Sequence, residues 1–266
     1  SSVFTEMHTS GKGPVYMDCS TTSKEDFDYM MWGLVEEGNT GMLNYMADQD
    51  IDPRKHRVEF MQYEPFLCGR GIEIDMHAQS SIEGLYAAGD PVGNFRADIA
   101  GAATYGWIAG ANAAQRAKEI DTFPVINDNE ILKEKGRLYS AFMERKIGAD
   151  WREANLALQQ IMGDYAGVKV RSETLLRAGL KYLGDLRSTV TDTLKTANAH
   201  ELMRAVESMD LIDCGEAVLL TALERKETRQ QHLRSDFPFT NPLLADKFLT
   251  IKQKDGETLL EWRDKQ

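Results

Sequence analysis

The spacing of apolar and polar residues changes near residue 120 of the chain. Before this point, short apolar runs are bounded by glycine and proline, and two stretches repeat apolar residues at helical spacing. After it, apolar residues recur every three to four positions over long stretches. The pattern predicts an α+β fold, in which strands and helices are followed by an antiparallel bundle of three or four helices and a terminal β-hairpin.

The first 65 residues carry signals for two helices and for short strands. Residues 13–18 predict a turn into a strand, and residues 57–68 predict a strand pair. A helix is expected from about Ser23, whose hydroxyl caps it, and a second helix over about 40–49. Because the residue before a proline is disfavoured in a helix, Asp52-Pro53 ends the second one.

A small basic cluster, Arg54, Lys55 and His56, follows the second predicted helix. Such a cluster is typical of a solvated turn, and it is also able to attract an anion near a substrate. The sequence leaves both interpretations open and favours the solvated turn.

The chain beyond residue 126 carries helical stripes and one hairpin signal. The stripes predict helices over 127–148, over 151–167, from about Ser172, and over about 199–229 with a break near Asp213 and Gly215. Asp255-Gly256 lies between two strand-type runs within 248–263, which predicts a hairpin with a type I′ turn.

The stretch 69–114 carries the candidate chemistry. Residues 87–90 read Ala-Ala-Gly-Asp after a strand-type run, so small side chains leave the backbone bare for a ligand. Asp90 offers a carboxylate where ligands of α/β sheets bind. A helix is expected from about Gly101, with free N–H groups and the positive end of its dipole at that point. One face of it carries only small residues: Ala102, Gly106, Ala109, Gly110 and Ala113.

Composition narrows the function classes. The 266 residues carry a formal net charge of −11, which argues against nonspecific binding to nucleic acid. The sequence contains no apolar run of membrane-spanning length and no secretory signal, so no direct membrane insertion and a cytoplasmic location are expected. Cys19, Cys68 and Cys214 are isolated, which predicts reduced thiols and no metal site held by this chain alone.

Four segments resemble the succinate dehydrogenase/fumarate reductase flavoprotein family. The first three are Gly-Ile-Glu-Ile-Asp at 71–75, Gly-Leu-Tyr-Ala-Ala-Gly-Asp at 84–90 and Gly-Trp-Ile-Ala-Gly at 106–110. The fourth covers 225–238, begins with Arg-Lys-Glu-Thr-Arg and contains His232, Arg234 and Asp236. The first three segments form one signature and the fourth forms a second, and the two lie in the order that the family has. The resemblance implies part of a capping domain at 1–65, the C-terminal segment of an FAD-binding domain at 66–120, and a helical C-terminal domain with the hairpin at 121–266.

The resemblance also implies a cofactor, FAD, and roles for single residues. Gly89 and Asp90 would bind near the ribityl hydroxyls, and the amides near Gly101 and Ala102 would face the pyrimidine edge of the isoalloxazine, where the reduced flavin is anionic. No catalytic residue is assigned, and Arg96 and His232 are weak candidates. Arg96 is expected to bind an anion or to pair with Asp98, and His232 is expected to tie the bundle to the flavin domain in preference to a catalytic role.

The sequence also departs from the fumarate reductases. Those enzymes carry a His-x-Thr that binds the substrate carboxylate, whereas residues 64–68 here read Glu-Pro-Phe-Leu-Cys, and the loop 94–102 lacks the family's Asn-Arg-Leu pattern. A small anionic substrate other than succinate or fumarate is therefore expected. The order of motifs resembles the alpha subunit of adenylylsulfate reductase most, and the family implies an iron–sulfur partner subunit.

No Gly-x-Gly-x-x-Gly cradle for a pyrophosphate occurs in the sequence. We therefore expect the chain to be the C-terminal part of a longer FAD-dependent oxidoreductase, inactive when isolated. The alternative is a non-catalytic helical interaction domain with a vestigial flavin segment.

Overall fold

A computed structural model describes residues 14–59, 71–95, 98–123, 125, 127–167, 171–230 and 232–265. The chain divides into two compact units, one formed by Ser1–Tyr63 with Tyr139–Gln266 and the other by Glu64–Leu138. The sequence-based domain bounds at residues 65 and 120 stay a prediction.

The N-terminal segment forms two helices and one strand pair. Strand β1 (Tyr16–Met17) pairs antiparallel with β2 (Val58–Glu59). Helix α1 (Lys24–Glu36) begins after Ser23, whose side chain accepts a hydrogen bond from the Asp26 N–H, and α2 spans Thr40–Asp48. Both helices and the Ser23 cap are confirmed. The rest of the predicted strand pair at 57–68 lies outside the described residues.

Three helices form the C-terminal bundle. Helix α5 (Trp151–Ile161) continues as a π-helical turn, Met162–Ala166, and is followed by α6 (Glu173–Thr193) and α7 (Ala199–Glu224). Side chains of Asp150, Ser172 and Asn198 accept a hydrogen bond from the first turn of their respective helices. Their shared core contains Ala154, Leu158, Leu176, Leu183, Val190, Ala205, Ile212 and Leu219.

The predicted break in the last helix is wrong. Helix α7 is continuous through Asp213 and Gly215 and ends at Glu224. Gly215 is buried, and a Cβ added to it would lie 2.9 Å from the Met162 sulfur. The glycine therefore serves close packing of α5 on α7, and the sequence alone does not distinguish this use from a helix break.

The first predicted bundle helix also differs from the expectation. It is split into α4 (Asp128–Leu138) and a π-helical turn, Tyr139–Met143. Of its expected apolar stripe, Ile131, Leu132 and Tyr139 are exposed, whereas Phe142 is buried. A π-helical turn changes the number of residues per turn, so residues on either side of it no longer share one face. Helix α4 belongs to the unit Glu64–Leu138 rather than to the bundle.

The terminal hairpin is confirmed. Strand β3 (Lys247–Lys254) pairs antiparallel with β4 (Glu257–Asp264), and Asp255 and Gly256 have φ angles of 53° and 82°. Two positive φ angles are the mark of a type I′ turn. The Trp262 indole N–H donates to the Glu224 carboxylate at 3.2 Å, which ties the hairpin to the end of α7.

The second unit is a loop-rich segment, 71–95, packed on helix α3 (Ile99–Glu119). Its small core contains Ile74, Ala78 and Val92, against which Tyr105 and Ile108 of α3 pack. The expected strands around residues 72 and 85 appear only as isolated bridges, Ile72 with Val92 and Gln79 with Tyr86. Among the described residues, neither bridge is extended into a longer strand pair. The fold is therefore α+β with a C-terminal helical bundle and a terminal hairpin, as the sequence predicts.

Candidate functional site

Two glycines, Gly71 and Gly93, allow the chain to cross itself closely within the candidate flavin segment. The Ile72 N–H donates to the Pro91 carbonyl at 2.7 Å, and the Gly93 N–H donates to the Ile72 carbonyl at 2.9 Å. Gly71 has φ 138°, and a Cβ there would lie 2.1 Å from the Pro91 oxygen. A Cβ on Gly93 would lie 2.7 Å from the Gly71 oxygen. No side chain fits at either position without moving the backbone.

Asn94 and Asp75 fix the loops around this crossing. The Asn94 side-chain amide donates to the Ile74 carbonyl at 2.8 Å, and its oxygen accepts the Ile74 N–H at 3.0 Å. The Asp75 carboxylate accepts the N–H groups of Gln79 and His77, and these bonds lower the pKa of Asp75. Asn94 was not predicted to have this role, although its place directly after Val-Gly marks it as a turn residue.

The Ala-Ala-Gly-Asp turn lies against the first turn of α3. Gly89 is buried with φ 79°, and a Cβ added to it would lie 3.4 Å from the Ala102 Cβ. The Val92 N–H donates to the Gly89 carbonyl at 3.0 Å, which closes the turn. Asp90 is exposed at its end. The turn therefore presents backbone and one carboxylate, with no bulky side chain between them and α3.

The start of α3 differs in detail from the expectation. The helix begins at Ile99, two residues before Gly101, and Asp98 caps it. The Gly101 N–H donates to the Asp98 carboxylate at 2.9 Å, and the Ala102 N–H donates to the Asp98 carbonyl at 2.7 Å. The expected free N–H groups at these two residues are thus already used. The outermost N–H groups of the helix are those of Ile99 and Ala100.

The small residues of α3 lie on two sides of the helix. Ala102 and Ala109 are half-buried, and Ala109 packs on the core of the unit. Gly106 and Gly110 are exposed, and a Cβ added to either would meet none of the described atoms within 4 Å. Trp107, between them, is 82% exposed. The bare glycine surface is thus separate from the surface that packs on residues 74–92.

The two weak catalytic candidates have different outcomes. Arg96 lies outside the described residues. His232 is half-buried in the loop after α7, where the Arg171 guanidinium donates to its Nδ1 at 2.8 Å and its Nε2 bonds the Arg225 carbonyl at 2.9 Å. Because arginine only donates, Nδ1 must accept, and the ring is neutral with its proton on Nε2. Burial and the nearby arginines lower the pKa of His232 to about 4.

A buried ion network surrounds this histidine. Glu227 is fully buried and accepts hydrogen bonds from Arg225, from Arg229 at 3.0 Å and from the Asn241 N–H at 3.0 Å. Burial alone would raise the pKa of Glu227, but these bonds hold it below the ordinary value. Arg234 is 1% exposed and forms a two-pronged pair with Asp236 at 2.7 Å. We name the set of Arg225, Glu227, Arg229, Arg234 and Asp236 the arginine network.

The arginine network joins the loop after α7 to the start of α6. Asp236 accepts the Glu173 N–H at 2.8 Å, and its bonds with Arg234 and Glu173 lower the pKa of Asp236 to about 2. The Arg171 N–H donates to the Leu233 carbonyl at 2.8 Å, and the Ser235 N–H donates to the Arg171 carbonyl at 2.9 Å. Both nitrogens of His232 are engaged in this joint within the bundle domain. The expected tie from His232 to the flavin domain stays a prediction.

The state of His232 predicts a pH dependence of stability. Since its pKa is about 4 in the folded chain and about 6.5 when unfolded, the unfolded chain binds more protons between these values. Stability therefore falls as the pH is lowered from about 6.5 to 4. We expect His232→Gln to flatten this part of a urea-denaturation profile, because an amide oxygen still accepts from Arg171. An unchanged slope would contradict the neutral histidine, and His200→Gln, on an exposed site, is the control.

The described residues contain neither a helix suited to span a membrane nor a metal-binding cluster. No helix among them combines the length and the hydropathy that crossing a bilayer requires. Within the same residues, no group of three or more His, Cys, Asp and Glu side chains is placed to hold a metal ion.

A bare Gly-Asp turn lies against the start of α3, and a helical bundle and a terminal hairpin follow it along the chain. A family model described as the fumarate reductase flavoprotein C-terminus matches residues 155–264. The resemblance to this flavoprotein family inferred from the sequence is therefore confirmed over these residues.

Relatives and solved structures agree with this family. The chain is 25% identical over 237 residues to an uncharacterised FAD-dependent oxidoreductase of Methanocaldococcus jannaschii, covering 86% of this chain and 41% of the relative. It is 25% identical over 244 residues to the L-aspartate oxidase of Yersinia pestis, covering 88% and 42%. The fold matches adenylylsulfate reductase from Archaeoglobus fulgidus with a TM-score of 0.79 at 23% identity, covering 98% of this chain and 49% of that one. The chain thus spans about 40% of the length of the curated relatives it matches.

Proposed function

We propose that this chain supplies the C-terminal part of an FAD-dependent oxidoreductase. The observation that carries the proposal is the contact between Gly89 and Ala102, where a Cβ on the glycine would lie 3.4 Å from the alanine Cβ. It holds the Asp90 turn against the first turn of α3, so a carboxylate and a helix N-terminus belong to one small region. Family membership of residues 155–264 supports the same assignment.

The residues of this region fit part of a flavin site. Asp90 is exposed, and in this assignment its carboxylate accepts hydrogen bonds from the ribityl hydroxyls. Gly89, buried with φ 79°, lets a polyol chain approach the backbone. The N–H groups at the tip of α3 suit the pyrimidine edge, where negative charge develops on reduction. In this assignment Gly101 and Ala102 shape the helix start, with their N–H groups held by Asp98. FAD would supply the two-electron chemistry.

The substrate proposed is a small anion of the adenylylsulfate type, in preference to succinate or fumarate. The support is the sequence at 64–68, where Glu-Pro-Phe-Leu-Cys replaces the fumarate reductases' His-x-Thr, together with the Gly-Pro-Val-Tyr-Met of 13–17. The fold likeness to adenylylsulfate reductase is compatible with this choice. An iron–sulfur subunit is the proposed electron-transfer partner, and a cytoplasmic location is proposed from the free thiols of Cys19 and Cys214.

Replacing Asp90 tests the flavin assignment. We expect Asp90→Ala in the full-length protein to weaken FAD binding about tenfold, because a hydrogen bond from a neutral donor to a charged acceptor is lost. Flavin absorbance after removal of excess FAD, and a fluorescence titration of the apoprotein, measure the effect. Asp121→Ala, at an exposed carboxylate just beyond α3, is the matched control.

Either outcome of the titration is informative. Equal affinity in the two variants would remove Asp90 from the site. A full-length wild-type protein that retains no flavin would instead favour the non-catalytic interaction domain, which the oxidoreductase names of the matched relatives do not support.

A further inference from the structure

The basic cluster before β2 lines a concave surface next to β1. Pairing of Tyr16 with Glu59 and of Met17 with Val58 brings the turn after β1 beside the turn before β2. The resulting cavity has a volume of about 230 Å³. Its polar lining consists of Asp18, Ser20, Arg54, Lys55, His56 and Arg57.

The lining is positive in an acidic protein. It carries three cationic side chains and one carboxylate besides His56, whereas the whole chain has a formal net charge of −11. Asp52, which does not line the cavity, forms an ion pair with the Lys55 ammonium at 3.1 Å. Arg54 and Arg57 are the other cations of the lining, and Arg57 is itself paired with Asp18 at 3.2 Å. Positive charge concentrated in a concavity attracts anions more strongly than the same charge on a flat surface.

Donor groups of the lining are held in place by their own contacts. Arg54 lies over the Phe27 ring, with its guanidinium carbon 5.1 Å from the centroid, and donates to the Thr22 carbonyl at 3.4 Å. The His56 Nδ1 accepts the Asp52 N–H at 3.0 Å, so a neutral ring carries its proton on Nε2. Arg57 contacts Asp18 through Nε at 3.2 Å, which leaves its two Nη nitrogens as donors.

Asp18 limits how much anion charge the cavity accepts. Its carboxylate takes both the N–H and the hydroxyl of Ser20, at 3.0 and 2.6 Å, and these bonds lower the pKa of Asp18. It therefore stays negative at neutral pH and competes for Arg57. A ligand must offer several oxygens at once to engage Arg54, His56 and Arg57 against this competition, and planar guanidinium groups match such oxyanions with two-pronged bonds.

From this geometry we propose that the cavity binds a tetrahedral oxyanion of the phosphate or sulfate class, free or as the end group of a small ester. The volume of about 230 Å³ holds one such group with room for part of the molecule that carries it. The site uses the segment 18–57 alone and does not rest on the flavin assignment. In this proposal the basic cluster is a binding site, whereas the sequence favoured a solvated turn.

Titration with inorganic phosphate and sulfate at low ionic strength tests the proposal in the whole chain. We expect saturable binding by calorimetry and shifts of the backbone amide signals of Ser20 and of residues 54–57. Arg54→Gln and Arg57→Gln should each weaken the binding about tenfold, as expected for the loss of one charge-assisted contact. Asp18→Asn should strengthen it several-fold, because the competing carboxylate is gone.

The opposite signs at Asp18 and Arg57 separate anion binding from a structural effect, since both changes remove the same ion pair. Arg177→Gln, which breaks an exposed pair with Glu173 in the bundle, should leave binding unchanged. Weaker binding in Asp18→Asn, equal binding in Arg54→Gln, or succinate binding as tightly as phosphate would each overturn the proposal. Amide signals outside 14–59 report whether a variant remains folded. Loss of flavin binding in Asp90→Ala has no effect on this readout.

Discussion

Glu227→Gln is expected to lower the free energy of unfolding by about 4 kcal/mol, because it removes the buried charge that two half-buried arginines share. Glu227 is fully buried and is the shared acceptor of Arg225 and Arg229. The amide that replaces it keeps the shape and one acceptor, but it loses the charge and turns one oxygen into a donor facing a guanidinium. Urea denaturation followed by far-UV circular dichroism measures the change.

The control is an ion pair of similar geometry on the surface. Glu134 pairs with Arg137 in α4 at 2.6 Å, with both side chains more than half exposed. Glu134→Gln should therefore cost less than about 0.5 kcal/mol. If the two variants lose equal stability, the arginine network contributes no more than a solvated pair, and its burial would have to be relieved by movement of the loop 225–241.

Gly71→Ala is expected to destabilise the unit Glu64–Leu138 by about 3 kcal/mol, through an unfavourable φ for a residue with a side chain. At φ 138° the new Cβ would meet the Pro91 oxygen at 2.1 Å, so the crossing with Gly93 must open. Opening it moves the Gly89-Asp90 turn, and flavin retention should fall with stability. Differential scanning calorimetry and the flavin absorbance of the full-length protein measure the two effects.

Gly106→Ala is the matched control for this substitution. It lies within α3, where an added Cβ meets none of the described atoms within 4 Å. Alanine is the better helix former, so a gain of about 0.5 to 1 kcal/mol is expected. A loss of stability in Gly106→Ala would show that the bare glycine surface of α3 is covered in the molecule tested. A neutral Gly71→Ala would contradict the close crossing of residues 71 and 93.

Local signals in the sequence predict local structure well in this chain. The Ser23 cap, the helix start near Ser172 and the Asp255-Gly256 turn follow from single residues and their near neighbours, and the structure has all three. The bundle follows from the apolar spacing of 151–224, since its helices bury one face against each other.

Features that depend on partners distant in sequence were not predicted. In the sequence Gly215 resembles a helix breaker, whereas in the structure the Met162 side chain packs against it. The start of α3 at Ile99 is a local feature that was also missed: the Asp98 carboxylate caps the helix by accepting the Gly101 N–H. The Arg-x-Glu stretch at 225–229 was recognised from its family pattern, but its buried pairing with Asn241 has no periodic signal.

The joint between the loop after α7 and the start of α6 has a consequence for synthesis of the chain. Arg171 and the first turn of α6 receive their partners from Leu233, Ser235 and Asp236, which lie more than sixty residues later in the sequence. During translation α6 and α7 emerge first, and α6 lacks these partners until residue 236 has left the ribosome. The bundle is therefore completed late and in one step, and a chain that stops within α7 would expose apolar helix faces to aggregation.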